Sequence, residues 1–219
     1  MGWAGMKSLQ AELESRVLAL ALIQVTQMWS NNRRYESFLN RSEPGELTDD
    51  WFDWFVGSWN VARNIKSGRK ARVREYLNSE FRRFLSKGDA ECVDDAALHI
   101  QRQGWSSRRC LLVSLVSKVG FFLRPDRFVP VDSFSVRGLN VLRTANGAGR
   151  VNRYVYKDYL NAFDELYVRF EPQLKAALNE PWVVGMADHL HCPRAALIST
   201  SMRRKLFDDY LMHAAEYRA

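Results

Sequence analysis

The sequence predicts an all-helical protein, and two of its features support that prediction. Apolar residues recur every three to four positions through several long stretches, which is the spacing of one face of an α-helix. No stretch alternates apolar and polar residues for long enough to require a sheet. A chain of 219 residues is long enough for one domain or for two small, closely packed subdomains.

The predicted helices are separated by breaks of different lengths. In chain order they cover Ser8 to Trp29, Trp51 to about Ile65, Arg69 to Leu85, Asp94 to Gln103, a helix capped by Asp132, Tyr154 to Leu178 and roughly Thr200 to Tyr217. Asp49 and Asp50 are expected to cap the second of these helices, because a carboxylate accepts the free backbone amides at a helix start. The fourth is expected to end near Gly104, since glycine readily adopts the conformation that closes a helix.

Glycine, proline and short polar residues mark the breaks between these helices. The breaks are a loop or short helix pair from Asn31 to Asp50, a turn at Lys87-Gly88-Asp89, an interruption at Arg124-Pro125-Asp126 and a loop from Thr144 to Gly149. The most apolar run of the chain lies between Ser106 and Leu123, and a short extended piece from Phe128 to Val131 follows it.

The chain is basic, and its positive charge is concentrated in one segment. The formal net charge is +7. The segment from Val61 to Arg109 contains twelve Lys or Arg residues against six Asp or Glu residues. A solvated helix surface mixes the two signs more evenly. The clustering favours a nucleic-acid partner, with simple solubility as the alternative.

The cysteines and histidines do not form the pattern of a metal site. Cys92, Cys110 and Cys192 lack C-x-x-C spacing and cannot all pair with one another, which favours a reducing compartment. His189 and His191 lie close to Cys192 but have no further ligand at a suitable spacing, so no metal is expected.

The sequence also gives no sign of membrane attachment. The apolar run from Val17 to Val25 is too short to cross a bilayer, and charged residues precede it. No cleavable signal peptide is apparent at the N-terminus. We therefore expect a soluble, cytoplasmic protein without a membrane partner.

Lys118 stands out because it interrupts the most apolar run of the chain, between Leu111 to Leu115 and Val119 to Leu123. In the simplest interpretation the side chain lies at the edge of the core and extends its ammonium into water. In the functional interpretation an apolar pocket desolvates the amine, which favours the neutral form that can act as a nucleophile.

Asp132 likewise has two interpretations. It precedes Ser133-Phe134-Ser135-Val136 and is placed to cap the helix that starts there. A carboxylate held at a helix start remains ionised, and an ionised carboxylate also stabilises a nearby cation. Capping and a role in chemistry are therefore compatible.

Aromatic residues cluster between Trp51 and Trp59. Trp51, Phe55 and Trp59 share one helical face, which indicates packing in the core. Trp59 is also a candidate for insertion into a nucleic-acid duplex, because Asn60 and the basic segment follow it.

Lys118 and Asp132 belong to one segment, LVSLVSKVGFFLRPDRFVPVDSFSVRGL, which starts at Leu112. This segment resembles the catalytic segment of the helix-hairpin-helix DNA glycosylases, most closely the 8-oxoguanine DNA glycosylase branch. That family has a hairpin, a lysine on an apolar helix and a V-P-V-D piece leading into another helix. Val129-Pro130-Val131-Asp132 matches the last piece residue for residue.

A second stretch is similar to the same family. Asn60-Val61-Ala62-Arg63 matches an N-I-A-R-like sequence that follows an early helix, in a turn that contacts the base opposite the lesion. The matching segments appear in the family's order. The resemblance implies a glycosylase-like unit over residues 1–219, with the core at about 51–142 and a second subdomain formed by 1–50 and 150–219.

The resemblance implies a DNA glycosylase, with or without lyase activity, that excises a damaged or modified base from a flipped nucleotide. Lys118 would be the nucleophile, and Asp132 would stabilise the cationic sugar. The implied DNA contacts are Trp59, Asn60, Arg63, Arg108, Arg109, Ser114 and Ser117, and the implied base pocket contains Phe122, Phe134 and Phe207. The cluster cysteines of the endonuclease III branch are absent from the sequence, so no cofactor is expected.

Three positions depart from the family pattern. Ser114 and Val116 occupy the places of the hairpin glycines whose amides grip a DNA phosphate, and Phe134 replaces a frequent histidine. Small bacterial proteins with this fold include some encoded beside antiphage genes. The alternative function is therefore a binding or accessory protein of a defence system, with defence-operon proteins as partners and little or no base excision.

Overall fold

The computed structural model describes residues 15–23, 47–86, 89–107, 112–189, 195 and 198–217. Regular secondary structure in these ranges is helical, apart from a single antiparallel bridge between Ile65 and Ser106. The prediction of an all-α protein is confirmed for this part of the chain. None of its helices is both long enough and apolar enough to cross a bilayer.

Nine helices are named here in chain order. They are α1 at 15–23, α2 at Asp49–Ser58, α3 at Lys70–Ser86, α4 at Ala90–Arg102, α5 at Val113–Leu123, α6 at Ser133–Ala145, α7 at Tyr156–Leu178, α8 at Pro181–His189 and α9 at Thr200–Tyr217. A short 3₁₀ helix covers Ala62–Asn64. The predictions for α3, α7 and α9 are confirmed to within two residues, whereas α8 was not predicted.

The cap of α2 differs from the prediction. The side chain of Thr48, rather than that of Asp49 or Asp50, accepts the backbone amide of Trp51, at 3.3 Å. Asp49 and Asp50 lie in the first turn of the helix, where a negative charge interacts favourably with the helix dipole.

The end of α2 also differs, because the helix stops at Ser58 instead of continuing to Ile65. Asn60 has a φ of +51°. Its amide donates to the carbonyl of Gly57, and the amide of Val61 donates to the carbonyl of Val56, both at 3.0 Å. These paired bonds are a Schellman motif, in which a left-handed residue terminates the helix.

The start of α4 lies four residues before the predicted one. Asp89 caps this helix through its side chain, which accepts the amide of Cys92. Asp94 instead caps α7, since its two carboxylate oxygens accept the amides of Tyr156 at 2.7 Å and Lys157 at 3.0 Å. Asp94 was expected to be the first residue of α4. It lies inside that helix, and its side chain caps a helix that is distant in sequence.

The chain divides into two compact units. Unit 1 comprises Met1–Glu36, Ser133–Arg150 and Ala162–Ala219, and unit 2 comprises Ser37–Asp132 and Val151–Asn161. Helix α6 therefore belongs to unit 1, whereas the predicted core of residues 51–142 included most of it.

In unit 2 the core forms around α5, nearly all of which is buried. A Cβ atom added to Gly120 would lie 3.0 Å from the ring of Phe128, so α5 packs closely on the extended piece that follows it. The hydroxyl of Tyr156 accepts the amide of Val129 at 2.8 Å and donates to its carbonyl at 3.0 Å. These contacts hold in place the chain that leads to Asp132.

In unit 1 the helices α6 and α9 pack against each other at short range. A Cβ atom on Gly138 would lie 1.9 Å from the carbonyl oxygen of Leu211, a distance that only glycine permits. Phe207 lies at the centre of an aromatic core and contacts the rings of Phe163, Tyr167, Phe170 and Tyr210.

Candidate functional site around Lys118

Lys118 lies inside the core of unit 2 and is only 6% exposed. It sits in the middle of α5, where every residue from Leu115 to Leu123 is buried. Because its neighbours on the helix are buried on every side, the Lys118 side chain does not lie on a solvent-facing surface of α5. The side chain is therefore buried instead of lying at the edge of the core, and its surroundings are apolar, as the functional interpretation requires.

Trp59 provides two contacts to the Lys118 amine. Nζ donates a long hydrogen bond to the carbonyl oxygen of Trp59, at 3.4 Å. The same nitrogen lies 5.4 Å from the centroid of the indole ring, within the range of a cation–π contact. Trp59 thus contacts the amine through its backbone as well as through its side chain.

Ser117 connects the lysine helix to the segment that carries Asp132. Its hydroxyl accepts the backbone amide of Val131 at 3.1 Å and donates to the carbonyl of Ser114 at 3.2 Å. Each bonded residue directly precedes a predicted catalytic residue, because Ser117 precedes Lys118 and Val131 precedes Asp132. The structure thus brings together the two segments that the sequence paired.

These hydrogen bonds give Ser117 a different role from the predicted DNA contact. This residue is 0% exposed, and its hydroxyl is used inside the protein. A buried group of this kind has no surface to offer to DNA. Ser117 therefore does not fit the predicted DNA contact and acts as a structural link instead. Ser114 is half-buried.

Asp132 is half-buried and directly precedes the first residue of α6. The predicted position at a helix start is confirmed. A carboxylate at this point interacts favourably with the positive end of the helix dipole.

Aromatic rings surround the Trp59 side of the lysine. The ring of Trp59 contacts Phe55 at 6.2 Å and Phe122 at 5.6 Å, measured between centroids. Phe122 also contacts the rings of Trp51 at 5.5 Å and Phe55 at 5.2 Å. Phe122 is 2% exposed and lies one helical turn after Lys118, so it packs in the core in the free protein.

The remaining predicted residues lie in different environments. Asn60 and Arg63 are exposed. Phe134, in unit 1, is 43% exposed, and the guanidinium of Arg137 lies 5.5 Å from its ring. Phe207 is 0% exposed within the aromatic core of unit 1, where neighbouring rings occupy the surface that a stacked base would need. Arg108 and Arg109 lie outside the described residues.

The basic segment offers cations at the surface of unit 2. Five of its described residues are exposed, namely Arg63, Lys66, Arg69, Arg72 and Arg102. Arg72 lies 3.8 Å from Glu75, and less exposed cations also pair with acids, as Lys70 does with Asp53 at 3.0 Å and Arg74 with Asp49 at 2.9 Å. The exposed subset is suitable for contact with a polyanion.

A buried ionic cluster in unit 1 was missed at the level of sequence. Lys205 is 5% exposed, and its Nζ lies 3.0 Å from Asp208 and 2.6 Å from Asp209. Burial opposes the charge on Lys205, but the two carboxylates outweigh this effect and raise its pKa. The signal was present in the sequence, because acids three and four residues after a lysine share its helix face.

No metal site is formed by the His, Cys, Asp and Glu side chains of the described ranges. His189 is exposed, and His191 and Cys192 lie outside those ranges. Comparisons of the chain with protein-family models, with curated proteins and with solved structures gave no match.

Proposed function

We propose that this protein is a DNA glycosylase in which Lys118 is the nucleophile. The observation that carries this proposal is the position of Lys118, buried on α5 beside the segment that leads to Asp132. A lysine is costly to bury and is seldom placed in an apolar core without a reason. The resemblance of the surrounding segment to the helix-hairpin-helix glycosylases supplies the class of reaction.

In this mechanism the neutral amine of Lys118 attacks C1′ of a flipped nucleotide. A bond forms between Nζ and C1′, and the bond between C1′ and the base breaks, so the base leaves with the bonding electrons and takes up a proton. The attacking nitrogen then loses a proton. Opening of the C1′–O4′ bond gives a Schiff base between the lysine and the sugar.

Asp132 supports the reaction as an anion. Positive charge develops at C1′ and O4′ as the base departs, and a nearby carboxylate stabilises it. Asp132 is also a suitable acceptor for the proton that the attacking amine releases. Asp132→Asn keeps the shape of the side chain and removes its charge, so we expect slower base release with little change in DNA affinity.

The exposed cations of the basic segment are proposed to hold the phosphate backbone. Arg63 extends from the turn that follows Asn60, and Lys66, Arg69 and Arg102 add further positive charge. Binding of this kind weakens steeply as salt concentration rises. Proteins of the alternative class share this behaviour, so salt dependence supports DNA binding and not the chemistry.

Borohydride trapping tests the proposal. A protein that forms a Schiff base with abasic or 8-oxoguanine duplex DNA becomes covalently linked to it when borohydride reduces the imine. We expect the wild-type protein to be trapped and Lys118→Gln not to be trapped. Lys157→Gln is the matched control, because it removes one exposed ammonium of the same unit that lies outside the basic segment. Equal trapping of Lys118→Gln and wild type would exclude the assigned nucleophile.

A second candidate is a glycosylase-fold binding protein of a defence system that performs little or no excision. One observation favours it. Val116, which stands in place of a hairpin glycine, lies within α5 and is 0% exposed, so this position has no surface to offer to a phosphate. Salt-sensitive DNA binding without any trapping, by the wild type as well as by Lys118→Gln, would support this candidate.

A further inference from the structure

Trp59 contacts the same amine in two independent ways. Its main-chain carbonyl accepts the hydrogen bond from Nζ of Lys118 at 3.4 Å, and its indole ring lies 5.4 Å from that nitrogen. The two residues are 59 positions apart in sequence. A single residue therefore contacts the proposed nucleophile through both its backbone and its side chain.

The fold determines both contacts. Trp59 is the last residue before the left-handed Asn60, and the Schellman bonds of this turn fix the direction of the backbone at the end of α2. The indole ring rests against Phe55 from the same helix and against Phe122 from α5. The carbonyl thus points to the amine because of the turn, and the ring lies beside it because of the aromatic packing.

This arrangement conflicts with catalysis unless something moves. Attack requires Nζ and C1′ to approach within about 3–3.5 Å of each other. Lys118 is 6% exposed, so a sugar carbon has no open approach to the amine in the free protein. Trp59 is only half-buried and lies at the end of a helix, and helix ends open at a lower free-energy cost than a core does.

We propose that Trp59 is a positioning residue that covers Lys118 in the free protein and swings away when a nucleotide enters the site. This role deepens the proposed function, on which its consequence for catalysis rests. It also differs from the predicted insertion of Trp59 into the duplex, because the ring faces the nucleophile. The main-chain carbonyl can remain in place and hold the amine while the ring leaves.

The cover is tested on the protein alone, so the result does not depend on whether the protein excises a base. Formaldehyde with cyanoborohydride methylates accessible amines, and mass spectrometry of peptides gives a rate for each lysine. We expect Lys118 to be methylated far more slowly than the exposed Lys66. Trp59→Ala should speed methylation of Lys118 by roughly 2- to 30-fold, the factor that corresponds to loss of a cation–π contact. Trp59→Phe, with a smaller ring, should give an intermediate rate.

Three controls separate uncovering from general loosening. Trp54→Ala removes another indole from α2, whose ring contacts Trp51, and should leave the Lys118 rate unchanged. Cys92 is buried in unit 2 and should stay protected from a thiol reagent in every variant. Lys205 should stay protected from methylation.

Several results would overturn the inference. Trp59 does not cover Lys118 if wild-type Lys118 is methylated as fast as Lys66. The same conclusion follows if Trp59→Ala leaves the methylation rate of Lys118 unchanged. A rise in Cys92 reactivity that matches the rise at Lys118 would show that the variant has merely loosened the unit. If Trp59→Ala does not fold, Trp59→Phe decides, and a rate equal to that of wild type counts against the cover. If methylation shows that Trp59 protects Lys118 but the protein is never trapped on DNA, the proposed glycosylase function is rejected. The protection of Lys118 by Trp59 is then still supported.

Discussion

Among the residues that the structure describes, two lysines are buried, one in each unit, and their surroundings differ. Lys205 in unit 1 lies between Asp208 and Asp209, with both carboxylates within 3.0 Å of its ammonium. Lys118 in unit 2 contacts a carbonyl oxygen and an aromatic ring of Trp59. The two side chains are nearly equal in exposure, at 5% and 6%.

If Lys118 is the nucleophile that we propose, the difference between the two shows that burial alone does not identify a catalytic lysine. The two carboxylates raise the pKa of Lys205 in spite of its burial, so its amine stays protonated and has no lone pair for attack. The carbonyl and the ring of Trp59 instead contact the amine of Lys118. The neighbours of a buried lysine, more than its depth, separate a structural role from a chemical one.

The same substitution at both sites tests this contrast most severely. Lys118→Met should reduce trapping on abasic duplex by roughly 10³-fold or more, because the nucleophile is lost. Lys205→Met should be trapped at the wild-type rate per folded molecule. The measurement is the rate of crosslink formation under borohydride, at a temperature where circular dichroism shows both variants folded. Loss of trapping in both variants would contradict the assignment of a chemical role to Lys118 and a structural role to Lys205.

The free energy of unfolding should fall more in Lys205→Met than in Lys118→Met, which is the opposite of the order expected for trapping. Removing Lys205 leaves two buried carboxylates without their cation, which typically costs about 3–5 kcal/mol. Lys118→Met replaces a buried amine by an apolar group of similar volume and should change the free energy of unfolding by about 1 kcal/mol or less. Urea unfolding followed by circular dichroism gives both values. Equal losses at the two sites would contradict the account of Lys205.

The pH dependence of stability sharpens the contrast further. Because folding raises the pKa of Lys205 above its ordinary value of 10.5, the stability from its ammonium is fully present below pH 10.5. It is lost as the pH rises through the raised pKa. The difference in unfolding free energy between wild type and Lys205→Met should therefore narrow at pH values above 10.5. Urea unfolding at pH 9 and at pH 11 or higher measures it, and a constant gap would argue against the raised pKa.

Ser117 tests the link between the two segments of the candidate site. Ser117→Ala removes the acceptor of the Val131 amide and should cost about 1–3 kcal/mol, since that buried donor loses its partner. Ser114→Ala is the matched control, because the contact it makes to Ser117 uses its backbone carbonyl. We also expect Ser117→Ala to be trapped more slowly than its stability loss explains. Trapping at the wild-type rate would limit Ser117 to a structural role.

The smallest expected effect concerns Asn60. Its left-handed conformation suits glycine, so Asn60→Gly should change stability by less than about 0.5 kcal/mol, whereas Asn60→Ala should cost about 1 kcal/mol. Thermal unfolding gives both values. If Asn60 also contacts the base opposite the lesion, Asn60→Gly binds lesion duplex more weakly in spite of its intact turn. Unchanged binding would assign Asn60 to the turn alone.

The regular parts of this fold were predictable from sequence because they depend on local patterns. Apolar spacing identified α7 and α9, and Arg124-Pro125-Asp126 correctly marked the break after α5. The apolar run from Leu111 to Leu123 drew attention to Lys118, which interrupts it. Each of these signals lies within one segment of the chain.

The parts that could not be predicted depend on contacts between distant segments. Nothing near Lys118 in sequence indicates Trp59, and nothing near Ser117 indicates Val131. The cap that Asp94 provides for α7 was missed because its amide partners are 62 and 63 residues away. Local capping preferences cannot choose between partners that only tertiary packing brings close.

The contrast between the two lysines is tested most directly by locating the covalent bond to DNA. Wild-type protein is incubated with abasic duplex and borohydride, the DNA is digested, and the residual sugar adduct is mapped on peptides by mass spectrometry. The account predicts the adduct on Lys118 alone, with Lys205 unmodified. An adduct on another lysine, with Lys118 unmodified, would contradict it.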